Sequence, residues 1–559
     1  MAHWSTAHWR TAHWTTAARW LLAASLALGV LLALPRTGPG PASAATVQRP
    51  NVVLVMMDDM RYDELRFAPN LQRYVASRGT TFANSFSPLP LCCPARASFL
   101  LGQLAHNHRV LRVEAPYGFG ALDDHRTIAT ALSAAGYHTA LVGKYLNGYG
   151  QMRSRVTGGA SLLYEPAGWT DWMASVEKVW PTGSRYSGGT YNYLGFTQNV
   201  NRRVVMHPGA YSSDVVGSEA VGLVSKYHRS AKPFFLFLTP VAPHHGGPRE
   251  ARDPADYVKA NGFRQQFPTP YTPAWVRGRF DRAVTHAPGV PLHRAAEPDL
   301  GDKRPGYARF LENTATEKAR LRDVERQRAE AIFAWDRQFG RIVDRLKSTG
   351  EYADTVLMFT SDNGYYLGEH RHPAGKIEPH EVSVRVPLVV AGPGVRRGTR
   401  YAPVMTHDLT STILDLAGAR PLPDMDGTSL RPVLTGPDRT WDRPVFTEAM
   451  LGGIPRTDPD FPAGIHEFGI RTGRYKYVRY ADGFEELYDL QEDPNELTGL
   501  AQDPAYDDLK TQLLAQWRRY SGCRTTACTA PLPPELQTTP AQLATIDANS
   551  TRQQRLYYE

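Results

Sequence analysis

Cys92, Pro94 and Arg96 form a C-x-P-x-R pattern that runs into an apolar stretch closed by Gly102. Proline in the first turn of a helix leaves free N–H groups beside it, a setting that favours anions. Arg96 lies four residues after Cys92, one helical turn on, so the two side chains face the same way. By themselves, Cys92 and Cys93 are equally compatible with two small buried residues ahead of a helix. Two other chemistries fail on spacing. A C-x5-R pattern would need arginine where Ser98 and Phe99 stand, and the motif holds no C-x-x-C for redox or zinc chemistry.

Asp58-Asp59 and Asp362-Asn363-Gly364 offer only oxygen donors, the set that hard cations such as Ca²⁺, or less readily Mg²⁺, prefer. Adjacent aspartates at a strand end repel one another unless a cation sits between them. The plainer alternatives are a solvated turn for the first pair and an Asn-Gly turn for the second. Lys144 after Gly143, and Lys376 in a loop, are cations that can hold an anion whose charge moves in a transition state. His244 after Pro243 is a candidate proton donor, with His245 its competitor. His106 and His108 fall about 15 Å beyond the start of the motif helix and read as structural.

The elements that must position these residues are legible as patterns. Apolar runs at 51–57, 139–142, 234–238, 355–359 and 387–390 read as buried strands of a largely parallel sheet. Helical patterns at 71–77, 127–135, 213–227 and 317–346 alternate with them and predict an α/β domain with helices on both faces. Ligands bind beyond the carboxyl ends of such strands. Asp58-Asp59, Gly143-Lys144, His244-His245 and Asp362-Asn363 all follow strand ends, so one crevice should collect them. Residues 246–313, rich in Pro, Arg and Gly, read as a loop-rich insertion. After about 418 the pattern changes to a small α+β domain. An alternating strand is expected at 470–480 with a partner at 487–490, then a helix at 506–520, and a polar tail after 531.

The formal charge of +8 suits an anionic substrate, but the basic residues are scattered and no nucleic-acid module stands out. Nucleic-acid binding as a primary role is therefore set aside. Arg10 and Arg19 precede an apolar run at 20–34, too short for a spanning helix, and Ala42-Ser43-Ala44 forms a cleavage site. The expectation is a signal peptide over 1–44 and a secreted protein with no stable membrane insertion after cleavage; an uncleaved anchor is the alternative. In an exported protein Cys523 and Cys528 should form a local disulfide. A strained bridge between Cys92 and Cys93 is disfavoured, which leaves that pair free.

Taken together, these residues resemble the type I, formylglycine-dependent sulfatases of the alkaline phosphatase superfamily. The resemblance includes the D-D strand end, C-x-P-x-R, Gly143-Lys144, Pro243-His244, Asp362-Asn363-Gly364, Lys376, Arg385-Val386-Pro387, Asp426-Gly427-Thr428-Ser429-Leu430 and Glu486-Leu487-Tyr488-Asp489-Leu490. Cys92-Cys93-Pro94, His106-Asn107-His108 and Gly143-Lys144-Tyr145-Leu146-Asn147 are similar to the N-acetylglucosamine-6-sulfatase branch. The resemblance implies an alkaline phosphatase-like large mixed, mostly parallel sheet flanked by helices over 45–420, and a smaller C-terminal α+β domain with an antiparallel sheet over 421–530, followed by a tail at 531–559. It implies Cys92 oxidised to Cα-formylglycine by the formylglycine-generating enzyme. Asp58, Asp59, Cys92, Asp362 and Asn363 would hold Ca²⁺, and Arg96, Lys144, His244 and Lys376 would complete the active site. The implied activity is hydrolysis of a sulfate ester on a sulfated carbohydrate such as N-acetylglucosamine 6-sulfate, or on an aryl sulfate. Phosphonate ester hydrolysis and silent binding of sulfated glycans are the alternatives. The chain departs from the family in having Leu146 where many members have a Lys-x-His histidine, in having Ala95 where serine is commoner, and in having Leu101 where threonine is usual.

Overall fold

The strand Asn51–Met57 (β1) is apolar at all but its first position and every residue of it is buried, because it lies near the centre of a sheet covered on both faces. The computed structural model describes residues 49–177 and 188–559; the export signal expected over 1–44 lies outside them. The main sheet adds Thr80–Phe82 (β2), His138–Lys144 (β3), Asp171–Ser175 (β4), Thr197–Val200 (β5), Arg203–Met206 (β6), Phe234–Thr239 (β7), Thr355–Ser361 (β8), Leu388–Ala391 (β9) and Gly398–Arg400 (β10). Its order is β10-β2-β9-β8-β1-β7-β3-β4-β5-β6. The central strands β8, β1, β7, β3 and β4 are all parallel. Strand β9 runs antiparallel to β8, and β5 antiparallel to β4, so the sheet is mixed towards both edges.

Period-two alternation sends Leu54 and Met56 to one face and Val53 and Val55 to the other. The first face packs with Leu141, Phe237 and Met358 against Phe99 of the helix Cys92–Leu101 (α1) and Leu132 of the helix Ile128–Ala134 (α2). The second packs with Leu236 and Leu238 against Leu223 of Ser212–Tyr227 (α3) and Trp335 and Phe339 of Ala315–Ser348 (α4). Burying such a side chain contributes about 1.5–3 kcal/mol. The 34-residue helix α4 starts at a capping box in which Thr314 and Glu317 satisfy one another's backbone N–H groups. No helix among the described residues is long and apolar enough to cross a membrane.

The C-terminal part holds Val445–Ala449 (β11), Glu467–Arg471 (β12), Tyr475–Tyr480 (β13) and Glu485–Asp489 (β14) in one antiparallel sheet. The single strand expected at 470–480 is instead two. The chain turns at Thr472, whose hydroxyl accepts the N–H groups of Arg474 and Tyr475, and this closes a hairpin between β12 and β13. An alternating pattern continues across a tight turn, so periodicity could not show the break. At 71–77 one short α-helical stretch, Pro69–Leu71, passes into a π-helical segment, Gln72–Ala76. The helix Asp507–Tyr520 (α5) packs Trp517 under β12. The Cys523–Cys528 disulfide is formed, with a Cα–Cα distance of 5.2 Å. Residues Pro540–Tyr558 form a last helix (α6) tied back by Gln554 to Tyr62 and by Asp547 to Arg385.

Candidate active site

The registers of β8, β1, β7 and β3 set their carboxyl ends side by side. Met57 pairs with Ser361, so Asp58 and Asp362 leave adjacent strands together. Asp58 then bridges to Pro243, which brings His244 alongside Asp59. Gly143 of β3 pairs with Thr239 of β7, and Lys144 follows it. Gly143 is needed there. Its φ is 112°, and an added Cβ would lie 2.2 Å from the Thr239 carbonyl oxygen. Asp59 also has a positive φ, 67°, held by its N–H donating to Asp362 Oδ1 and by Arg328 of α4 donating to its carbonyl at 2.6 Å.

Helix α1 is buried along its whole length and begins at Cys92, after the extended residue Leu91. Pro94 stands in its first turn, as the pattern predicts, and the left-handed Gly102 closes it. Arg96 donates from Nε to Asp362 Oδ2 at 2.8 Å and from Nη1 to the Lys144 carbonyl at 3.1 Å. Lys144 Nζ lies 2.7 Å from Asp58 Oδ2, and Lys376 pairs with Asp59 Oδ1. Asn363 Nδ2 donates to the same Asp59 oxygen at 2.8 Å. His244 donates from Nδ1 to the His245 carbonyl at 2.7 Å, which leaves Nε2 facing Asp59 Oδ2 at 3.6 Å. The ring of Tyr191 stacks on His244 at 4.5 Å and lies 4.9 Å from Lys144 Nζ.

The electrostatics follow from burial, which is complete for Asp58 and Asp59 and partial for Lys376. Burial pushes Asp58 up to about 7, with Lys144 only partly offsetting it. For Asp59 burial acts in the same direction, but Lys376 and His244 outweigh it and hold the carboxyl well below the usual range. Burial works against the charge on Lys144 and Lys376, yet Asp58 and Asp59 respectively keep both above the ordinary lysine value. Burial drives His244 well below the usual imidazole range, and it raises the Cys92 thiol. A raised, buried thiol is a poor nucleophile.

The structure brings all nine expected site residues, Asp58, Asp59, Cys92, Arg96, Lys144, His244, Asp362, Asn363 and Lys376, into this one buried network. His106 and His108 stand apart from it. His106 binds Glu448 and the Cys523 carbonyl, and His108 binds Ser98. Two further residues of the network, Glu177 and Tyr191, carry no sequence signal, and Asn147 links them to Cys92. Cys92 Sγ donates to Asn147 Oδ1 at 3.4 Å, and Asn147 Nδ2 reaches Glu177 and Tyr191. Glu177 follows a short strand and Tyr191 a Gly/Tyr-rich loop, with no pattern that marks them.

The donor set fits a hard cation. Asp58 Oδ1, Asp59 Oδ2 and Asn363 Oδ1 are buried and accept no hydrogen bond. Asp58, Cys92 and Asp362 each present a donor atom within 4.8 Å of the others, as do Asp58, Asp59 and His244. Each buried, unpartnered acceptor costs about 1–3 kcal/mol, a penalty that a shared cation removes.

A family model described as Sulfatase matches residues 50–419, and one described as N-sulphoglucosamine sulphohydrolase, C-terminal, matches 368–521. The chain is 29% identical over 527 residues to N-acetylglucosamine-6-sulfatase of Homo sapiens, covering 86% of this chain and 87% of that one. It is 28% identical over 524 residues to an arylsulfatase of Volvox carteri, covering 88% and 77%. Among solved structures, BT4656 in complex with its substrate D-glucosamine-2-N,6-O-disulfate superposes with a TM-score of 0.61 at 21% identity, covering 84% of this chain and 96% of that one.

Proposed function

We propose, from the premise that this chain belongs to the sulfatase family, that it removes sulfate from a sulfated sugar, with N-acetylglucosamine 6-sulfate the first candidate, and that it does so outside the cell. Membership makes it a hydrolase of sulfate esters. The sugar is suggested by the relative that acts, by its name, on N-acetylglucosamine 6-sulfate and that matches over most of both chains. Export is suggested by the leader-like N-terminus and by relatives named as extracellular sulfatases.

The observation that carries the mechanism is the set of unpartnered acid and amide oxygens and paired lysines gathered around Cys92. Cys92 as a thiol is buried and held neutral, so its oxidation to formylglycine by the generating enzyme would supply, as the hydrated aldehyde, the oxygen nucleophile that the thiol is not. Asp58, Asp59, Asp362, Asn363 and residue 92 would hold Ca²⁺, which when bound supplies positive charge against the sulfate and the attacking oxygen. Lys144 and Lys376 turn from their aspartates towards the sulfate and stabilise the charge that grows on the bridging oxygen. His244 Nε2 delivers a proton to the leaving alcohol, and an anionic substrate beside it favours the imidazolium it needs. Arg96 holds Asp362 and the carbonyl of Lys144 in place from one turn along α1.

The test is turnover of N-acetylglucosamine 6-sulfate by protein whose Cys92 peptide shows the thiol-to-aldehyde mass loss. Cys92→Ala should abolish turnover and leave the fold intact, whereas Cys93→Ala should keep turnover. Faster hydrolysis of an aryl phosphonate ester than of any sulfate ester would overturn the reading.

A further inference from the structure

We infer that Glu177 is a positioning residue which, by fixing the amide of Asn147, decides how the group at position 92 is oriented; this deepens the sulfatase reading above and rests on it. Glu177 follows the carboxyl end of β4, the next parallel strand after β3, so it reaches the site from a side that none of the expected residues occupies. Its carboxylate only accepts. Oε1 takes Asn147 Nδ2 at 2.8 Å and Oε2 takes the Gly148 N–H at 2.8 Å. The second N–H of the Asn147 amide goes to the Tyr191 hydroxyl at 2.7 Å. An amide has two donors and both are spent. Its oxygen is therefore turned to Cys92, whose thiol donates to it at 3.4 Å. The flipped amide would set its oxygen against the Glu177 carboxylate, acceptor on acceptor, so the negative charge excludes that state.

The consequence concerns residue 92 in whichever chemical form it takes. Leu146 is buried in the apolar core, so from this segment the polar side chain that meets residue 92 is Asn147. A hydrated aldehyde carries two equivalent hydroxyls. One that donates to Asn147 Oδ1 is held there, and the other is left to face the sulfate. Glu177 touches neither the substrate nor the reacting atoms; it acts through the amide. Buried groups that orient a functional side chain in this way typically change activity by about 10–100-fold when replaced.

The experiment is a double-mutant cycle read in two ways. In matured protein, Glu177→Gln should lower kcat about 10–100-fold with KM unchanged. Asn147→Ala should do the same, and the double variant should be no slower than Asn147→Ala, because the two act as one unit. Glu177→Asp, which keeps the charge, should recover part of the loss. In unmatured protein carrying Cys93→Ala, the infrared S–H stretch of Cys92 reads the Asn147 acceptor directly, and Glu177→Gln should move it towards the value of Asn147→Ala. An unmoved S–H stretch, or losses in kcat that multiply in the double variant, would overturn the inference. Wild-type protein with oxidised Cys92 that hydrolyses no sulfate ester would instead sink the functional reading, while the S–H measurement would still decide the role of Glu177.

Discussion

Replacing Arg96 by methionine isolates the charge that holds the site together. The guanidinium is 1% exposed and Asp362 is fully buried. The substitution keeps most of the volume and removes the 2.8 Å bond to Asp362 Oδ2 and the 3.1 Å bond to the Lys144 carbonyl. Breaking a buried ion pair by deleting one partner costs about 3–5 kcal/mol, because the other charge stays buried without compensation. The stranded carbonyl adds about 1–3 kcal/mol if no water reaches it. Against this, Arg96 Nη2 already lacks a partner, so its own desolvation penalty disappears with it. A net loss of about 3–5 kcal/mol in metal-free protein is expected, a large part of the 5–15 kcal/mol that folded proteins usually have. The assay is urea unfolding followed by tryptophan fluorescence, comparing midpoints for wild type, Arg96→Met, Asp362→Asn and the double variant. In the Asp362→Asn background the arginine's removal should cost at least about 1 kcal/mol less, since no carboxylate is left unpaired. Calcium should shrink the Arg96→Met loss by supplying the missing positive charge. A loss below about 1 kcal/mol without metal, the size seen for exposed pairs, would refute the assignment of Arg96 as the counter-charge of Asp362.

Gly143→Ala should destabilise the protein by more than about 3 kcal/mol or fail to fold, because a Cβ there meets the Thr239 carbonyl at 2.2 Å and the φ is unfavourable, and thermal melting would show it. Chelation of divalent ions should abolish sulfate ester hydrolysis and lower Tm together, and added Ca²⁺ should restore both; full activity after exhaustive chelation would remove the cation from the mechanism. His106 is held above the ordinary imidazole value because Glu448 outweighs its burial, so the pair contributes stability that is complete below about pH 6.5 and is lost as pH rises through the folded value. Melting curves between pH 5 and pH 9, a range spanning the ordinary imidazole value, should therefore fall less steeply with rising pH in Glu448→Gln than in wild type, and identical slopes would exclude this pair as the source.

Much of the site was readable because it is local to strands that announce themselves. A buried parallel strand is mostly apolar, so the polar residues that follow the runs 51–57, 234–238 and 355–359 had to lie at one edge, and Asp58, Asp59, His244, Asp362 and Asn363 do. Cys92 and Arg96 faced the same way by helical spacing alone. What the residues could not disclose was how their charges are apportioned. That Arg96 takes Asp362, that Lys144 takes Asp58 and that Lys376 takes Asp59 depends on the in-register pairing of β1 with β8 and on a loop that reaches the site from far along the chain.

The remainder belongs to tertiary structure for the same reason. Glu177 and Tyr191 sit in segments with no helical or strand period, and only the position of β4 beside β3 brings them to Asn147. The hairpin at Thr472 was hidden because alternation survives a tight turn. Period and residue type are properties of neighbours in the chain, so the sequence by itself determined the strand ends and the chemical inventory they carry. Pairing, burial and the sharing of hydrogen bonds are properties of neighbours in space, so only the folded sheet decided which oxygen meets which cation and which way the Asn147 amide points.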